Sequence, residues 1–324
     1  MSRTTLITEI QRFAVNDGPG FRTNVFLKGC PMRCAWCHNP ETIGFMPDLY
    51  WKKRACTQCG ACLDACDQDA IEPPVDPAVA NAEGSGYHKI IRERCNLCMK
   101  CVEACHYGAL EIAGKPMSVD EILDEVESDK PFYDNSGGGM TLSGGEPTAN
   151  ADFAEQLLAA SRARGIHNCL DTNGYCEWET LERLLEYTDL VLYDLKHLDP
   201  EKHRQWVGVD NARCLKNLER LVQTGMDVWV RIPVVPGFND DVEFHEQAAS
   251  FLAGLPGGVE RVDLLPFHNW CQDKYGWLGI EWSLLETESM EPALLEVPRM
   301  FYEALGLFAT VGGSGFEESS EATG

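Results

Sequence analysis

Three spaced runs hold eleven of the fifteen cysteines, and no other feature of the sequence narrows the fold so far. Cys30, Cys34 and Cys37 are spaced C-x3-C-x2-C. Cys56, Cys59, Cys62 and Cys66 form C-x2-C-x2-C-x3-C, and Cys95, Cys98, Cys101 and Cys105 repeat that spacing. Soft thiolates gathered at such short intervals suit iron–sulfur clusters. The first run is one ligand short. A four-iron cluster on three thiolates keeps one iron open, and an open position is where a metal site does chemistry instead of only carrying electrons. Two readings compete: paired C-x2-C units also bind zinc, and the triad alone fits a structural metal site lacking its fourth ligand.

The compartment follows from the same residues. A disulfide scaffold is short and secreted, whereas this chain has 324 residues and opens Met1-Ser2-Arg3-Thr4-Thr5-Leu6 with no apolar h-region. A reduced cytoplasmic setting is expected. No apolar run approaches the roughly 18 residues that span a bilayer, so no membrane association is expected. With 27 Lys and Arg against 51 Asp and Glu the formal charge is -24. Such a surface repels phosphate backbones, which argues against nucleic acid as a partner.

Along the chain, strand-forming runs at Leu6 to Phe13 and Thr23 to Lys28 flank the turn signal Asp17-Gly18-Pro19-Gly20. The triad therefore sits on a loop after a strand. Residues 51–112 change in composition and read as an insert, with Glu72 to Gly86 as a loop inside it. Ser118 and Glu121 form a capping box that starts a helix over Ser118 to Ser128. The strand Met140 to Leu142 then leads into Ser143-Gly144-Gly145-Glu146-Pro147. Beyond it, helices alternate with strands at 166–170, 190–195, 228–235, 261–265 and 308–311. Alternation at this spacing implies parallel strands with crossover helices. The Gly/Ser/Glu-rich stretch 312–324 is expected to be disordered.

The insert resembles a bacterial two-cluster ferredoxin. In that family the fourth cysteine of each run ligates the other run's cluster. The resemblance assigns Cys56, Cys59, Cys62 and Cys105 to one cluster, and Cys95, Cys98, Cys101 and Cys66 to the other. The proline that usually follows each run is Asp67 in the first and His106 in the second, which puts the local turn in question. The C-x3-C-x2-C run, with Trp36 before its last cysteine, is similar to the signature of radical S-adenosylmethionine enzymes. That implies an S-adenosylmethionine chelated to the open iron and cleaved by one electron to methionine and a 5'-deoxyadenosyl radical. Gly144, Gly145 and Glu146 look like that family's GGE motif for the amino group.

Further stretches resemble the glycyl radical enzyme activating enzymes: Asp17 to Thr23, Cys37-His38-Asn39-Pro40-Glu41-Thr42, Asp171-Thr172-Asn173-Gly174-Tyr175, Tyr193 to Lys196, Trp229 to Gly237 and Leu264 to His268. The activases of benzylsuccinate synthase and its fumarate-adding relatives are the most similar, with decarboxylase or lyase activases as alternatives. The resemblance implies a partial (β/α)6 TIM-type barrel over 1–50 and 113–311, carrying the ferredoxin-like insert. It implies three [4Fe-4S] clusters and S-adenosylmethionine as cofactors. It also implies a glycyl radical enzyme as protein substrate and a low-potential donor such as flavodoxin or ferredoxin.

By the same resemblance Lys196, Arg231 and His268 contact the cofactor, with His38 beside the cluster. Asp171, Thr172 and Asp194 match positions that hold a monovalent cation, although Asn173-Gly174 is also an ordinary turn. Lys196 and Asp17 are the catalytic candidates, Asp17 as a contact for the partner's glycine loop. Cys169, Cys176, Cys214 and Cys271 fit no cluster spacing and are expected to be plain thiols. The insert either relays electrons or docks the partner. Two rivals remain: a radical S-adenosylmethionine enzyme acting on a small molecule or peptide, and an electron carrier without turnover.

Overall fold

The computed structural model describes residues 4–81 and 87–316. One nine-stranded sheet organises most of them. In chain order its strands are β1 (Thr4–Ala14), β2 (Arg22–Leu27), β5 (Lys115–Ser118), β6 (Gly139–Gly144), β7 (His167–Thr172), β8 (Leu190–Asp194), β9 (Asp227–Val234), β10 (Arg261–Pro266) and β11 (Ala309–Val311). The intervening β3 (Asp48–Trp51) and β4 (Leu110–Ala113) form a small antiparallel sheet of their own.

The spatial order β11-β10-β9-β8-β7-β6-β2-β1-β5 runs parallel from β2 to β11. This is the partial barrel that the alternation predicts, with β11 as a short addition beside β10. The crossover helices cover its outer face. Helix Val119–Glu127 begins at Ser118, whose hydroxyl accepts from Glu121 N while Glu121 accepts from Ser118 N, the expected capping box. Such a cap is worth about 1 kcal/mol. Ile122, Leu123 and Val126 on its inner face join Leu142, Leu157, Leu170, Val191, Val230 and Leu264 in one apolar core.

Several elements were not evident from periodicity. β5 is an antiparallel addition at the edge, beside β1, whose strand contains the expected run Leu6 to Phe13 and pairs with β2. Helices Lys130–Ser136, Pro200–Val207 and Gln272–Leu278 each span only about two turns, too short to show an apolar stripe. The expected loop 72–86 contains the helix Pro77–Asn81, and 82–86 lie outside the described residues.

The start of the expected disordered tail is ordered, which corrects that expectation for residues 312–316. Gly312 N donates to Leu264 O, Gly315 N to Val15 O and Gly20 N to Gly315 O, and Arg261 donates to Ser314 O. These bonds tie the β10–β11 side of the sheet to the loop before β2. The approach is close enough that a Cβ on Gly315 would stand 2.0 Å from Gly18 O. Composition missed the segment because its partners are backbone groups on distant turns. Residues 317–324 lie outside the described residues.

The insert shows an internal repeat in its backbone. Gln58 and Leu97 both have positive φ (57° and 59°), as do Gly60 and Met99 (85° and 64°) and Asp69 and Gly108 (49° and 62°). Each pair occupies the same place in its cysteine run. The short helices Ala61–Asp64 and Lys100–Glu103 correspond likewise. Ile71 bridges Ile90 as Leu110 pairs Trp51. Non-glycine residues in the left-handed region are costly, and their recurrence at matched positions marks a conformation that both runs require. Asp67, in place of the usual proline, pairs with Lys100. No helix among the described residues is long and apolar enough to cross a membrane.

Candidate active site

The triad loop leaves β2 and is fastened along its length. Gly29 N and Cys30 N donate to Thr42 O and Ile43 O, and Arg33 N and Ala35 N to Val207 O and Trp206 O. The Tyr275 hydroxyl donates to Cys37 O at 2.9 Å and Trp282 Nε1 to Ala35 O at 2.8 Å. Met32 and Trp36 anchor the loop in a second apolar cluster with Phe238, Phe267 and Trp282. Three cysteines are thereby presented on rigid backbone.

They face a cavity of about 620 Å³, within the usual range for small-molecule sites. Every non-cysteine residue expected at the site lines it: Asp17, His38, Gly144, Gly145, Glu146, Asp171, Thr172, Asp194, Lys196, Arg231 and His268. Apart from Asp17, in the loop before β2, and Arg231, inside β9, they come from the carboxyl ends of parallel strands or the loops after them, where α/β folds place ligands. The glycines are there because the backbone passes so close to its neighbours. A Cβ on Gly144 would lie 2.2 Å from Leu27 N, and one on Gly145 2.3 Å from Gly29 O.

Glu146 makes contacts that its motif did not announce. Its Oε1 accepts from Thr148 N, Thr148 Oγ1 and Thr172 Oγ1, at 3.0, 2.8 and 2.7 Å, and its Oε2 from Asn173 N at 2.8 Å. The carboxylate clamps the loops after β6 and β7, and its remaining acceptor capacity is on Oε2. Burial raises its pKa and these four bonds oppose the rise. Thr172 also accepts from Gly174 N, which leaves a single lone pair for a cation.

Two charged groups cross the cavity. Lys196 donates to Asp194 at 2.7 Å and stands 5.9 Å from the Trp36 ring centre. Burial disfavours the ammonium, yet Asp194 together with Cys34 and Cys30 outweighs it and the pKa is raised. Arg231 lies between Asp17 at 3.2 Å and Asp171 at 3.5 Å. Asn24 donates to the other Asp17 oxygen and Ser143 to Asp171, both at 2.6 Å. Burial lifts Asp171 to about 6, against the pull of Arg231.

His38 and His268 stack with ring centres 3.9 Å apart, and Trp270 continues the stack at 4.4 Å from His268. Burial, helped by His268, lowers His38 to about 4, so it is neutral at pH 7. The triad thiols are pushed up, Cys30 to about 12, by burial first and Glu146 next. Cys34 and Cys37 are raised by burial too. Buried thiols held this far from ionising are inert nucleophiles, whereas a metal takes the thiolate and displaces its proton. The donor set therefore fits a metal cluster.

The insert cysteines divide between two small cavities, Cys56, Cys59, Cys62 and Cys105 around one and Cys66, Cys95, Cys98 and Cys101 around the other. Each group takes its fourth member from the opposite run. A zinc site needs its ligand atoms within reach of one ion, and among the described residues no three His, Cys, Asp or Glu side chains meet that condition. Cys169, Cys176, Cys214 and Cys271 are all buried.

Sequence reasoning missed Asn173, whose Nδ2 lies 3.8 Å from Cys30 Sγ. It also missed Lys274, which holds Asn39 at 2.8 Å and Glu41 at 2.6 Å and so fixes the loop after the triad. Asn173 lies inside a recognised stretch and was readable only as a turn residue. Lys274 carries no motif.

Residues 92–248 match the radical SAM superfamily, 55–109 a 4Fe-4S dicluster domain and 16–71 a 4Fe-4S single cluster domain. The chain is 42% identical, over 95% of its length and 92% of the relative's, to the benzylsuccinate synthase activating enzyme of Thauera aromatica. It is 44% identical to the isethionate sulfite-lyase activating enzyme of Oleidesulfovibrio alaskensis, over 85% of this chain and 88% of that one. To the (2S)-3-sulfopropanediol dehydratase activating enzyme of Klebsiella oxytoca it is 39% identical, over 86% and 87%.

Proposed function

Since the chain belongs to the glycyl radical enzyme activating enzymes of the radical S-adenosylmethionine superfamily, we propose that its cavity holds S-adenosylmethionine beside a cluster on Cys30, Cys34 and Cys37. The observation that carries this reading is the convergence of three thiols, two cations and the GGE loop on one cavity. When bound, cluster and S-adenosylmethionine supply one-electron cleavage and a carbon radical able to take the α-hydrogen of a partner's glycine.

The chain's own part is binding and orientation. Lys196 and Arg231 suit a carboxylate and ribose oxygens. The free capacity on Glu146 Oε2 suits an ammonium group, and the neutral His38–His268 stack suits a flat base. Asp17 keeps Arg231 in place and borders the path of the partner's glycine loop. Asp171 and Asp194 are the principal oxygen donors for a monovalent cation. The two insert cavities take one four-iron cluster each, charged by a low-potential one-electron donor such as flavodoxin or ferredoxin in a reducing cytoplasm.

For the partner we favour a fumarate-adding glycyl radical enzyme, supported by the 95% span of the match to the benzylsuccinate synthase activase. A lyase partner is the second reading, favoured by the 44% identity to the isethionate sulfite-lyase activase. The test is anaerobic incubation of the reconstituted protein with reductant, S-adenosylmethionine and each candidate partner in turn. A glycyl radical spectrum on one partner, with methionine and 5'-deoxyadenosine formed, is expected. Cleavage that leaves every partner without a radical, but transfers hydrogen from a small molecule, would favour the small-molecule rival.

A further inference from the structure

The two insert cavities are alike in cysteine geometry and unlike in charge. Lys89 lines the cavity of Cys56, Cys59, Cys62 and Cys105, and among the described residues it is the one Lys, Arg, Asp or Glu that does. Among the described residues none of those types lines the cavity of Cys66, Cys95, Cys98 and Cys101. Lys89 is 1% exposed. Its Nζ donates to Gln58 Oε1 at 2.7 Å, and among the described residues no carboxylate pairs with it. A buried ammonium held only by a neutral amide is costly to keep. On the other side, Arg92 is 29% exposed in its side chain and is committed to Asp48 at 3.6 Å and Leu49 O at 2.8 Å.

Charge of this kind has a direct effect on a cluster. A four-thiolate cluster gains one negative charge on reduction, and net charge, hydrogen bonding and exposure set its potential. An uncompensated cation in a water-poor cavity stabilises the reduced form more than the oxidised one. A chain of contacts also runs from the first cavity to the barrel. Trp51 lines the cavity and meets His88 edge-on at 5.2 Å, and His88 Nε2 lies 3.2 Å from Trp277 O. Trp277 shares the helix Gln272–Leu278 with Tyr275, whose hydroxyl holds the Cys37 carbonyl.

We infer that Lys89 makes the insert clusters unequal: the cluster on Cys56, Cys59, Cys62 and Cys105 has the higher potential and holds the first electron delivered to the insert. The inference rests on the cluster-bearing reading above and on no particular partner. The electron comes from an external low-potential one-electron donor, which is oxidised as this cluster is reduced by one.

The test is an EPR-monitored redox titration of the fully loaded protein without partner. Lys89→Met is expected to keep its iron and to move one insert reduction to lower potential, leaving the others in place. Lys89→Arg, which keeps the charge, should restore the wild-type value. Gln58→Glu neutralises the ammonium where it stands and should lower the same step. If Lys89→Met loses iron, Gln58→Glu decides. Unchanged potentials at full iron content, or equal displacement of both insert steps, would overturn the inference. An insert loaded with zinc would overturn both it and the cluster assignment, whereas failure to activate any partner would leave the potentials as the deciding evidence.

Discussion

The Lys196 ammonium lies 2.7 Å from the Asp194 carboxylate, two residues back along the same strand end, and both open onto the cavity. Alternation along a strand gives residues i and i+2 a common face, so the pair is built into local sequence. Lys196→Met is expected to reduce S-adenosylmethionine cleavage by at least tenfold, read as 5'-deoxyadenosine release. Asp194→Asn leaves a buried cation without its partner and should cost about 1–3 kcal/mol in urea unfolding. Undiminished cleavage in Lys196→Met would remove Lys196 from the site.

The Glu146 clamp makes a stability prediction as well as a binding one. Glu146→Gln turns an amide donor toward groups that already donate, so at least one of the four bonds is lost. A loss of about 1–3 kcal/mol is expected, with weaker S-adenosylmethionine binding by calorimetry. Wild-type stability would mean that the loops after β6 and β7 are held by something else.

Cys34→Ala separates the clusters. Loaded wild-type protein should carry about twelve irons, three clusters of four. The variant should fall to about eight, lose S-adenosylmethionine cleavage, and keep the EPR signals of the insert. Loss of all iron would show the insert to depend on the triad loop.

Two groups in the cavity pull stability in opposite directions with pH. His38 has a folded pKa of about 4, below the usual 6.5, so its contribution is present above pH 6.5 and is lost as pH falls toward 4. Asp171 has a folded pKa of about 6, above the usual 3.8, so its native form is favoured at low pH and loses stability as pH rises through 6. Relative to wild type, His38→Gln should flatten the acid side of the unfolding profile and Asp171→Asn should steepen it. Each difference should be about 3 kcal/mol across the window, since each shift exceeds two pKa units and one unit is worth about 1.4 kcal/mol. Parallel profiles would show that neither group titrates in this window.

Much of this architecture was legible in the sequence because strong local signals agreed with one another. The cysteine spacing, the Ser118–Glu121 cap and the helix–strand alternation each describe residues close along the chain, and each has its counterpart in the fold. The remainder depends on distant partners. Nothing near Gly315 announces Val15 and Gly20, and nothing near Lys274 announces Asn39 and Glu41. Glu146 was found by its motif, but the donors that fill its carboxylate come from two loops, one of them 26 residues on. Lys89 is a plain lysine in sequence, and its burial beside Gln58 is visible only once both cysteine runs are folded around each other.

Because β3 and β4 run side by side, with Asp48 opposite Ala113 and Trp51 opposite Leu110, the chain leaves the barrel and returns to it at one place. The barrel's connectivity is then indifferent to the length of that excursion. Closing a loop costs entropy that grows only with the logarithm of its length, about 0.6 kcal/mol for each doubling. Replacing residues 52–109 with a short turn should therefore leave a barrel that folds and still presents Cys30, Cys34 and Cys37. By that expectation the excursion is separable from the frame that holds the triad.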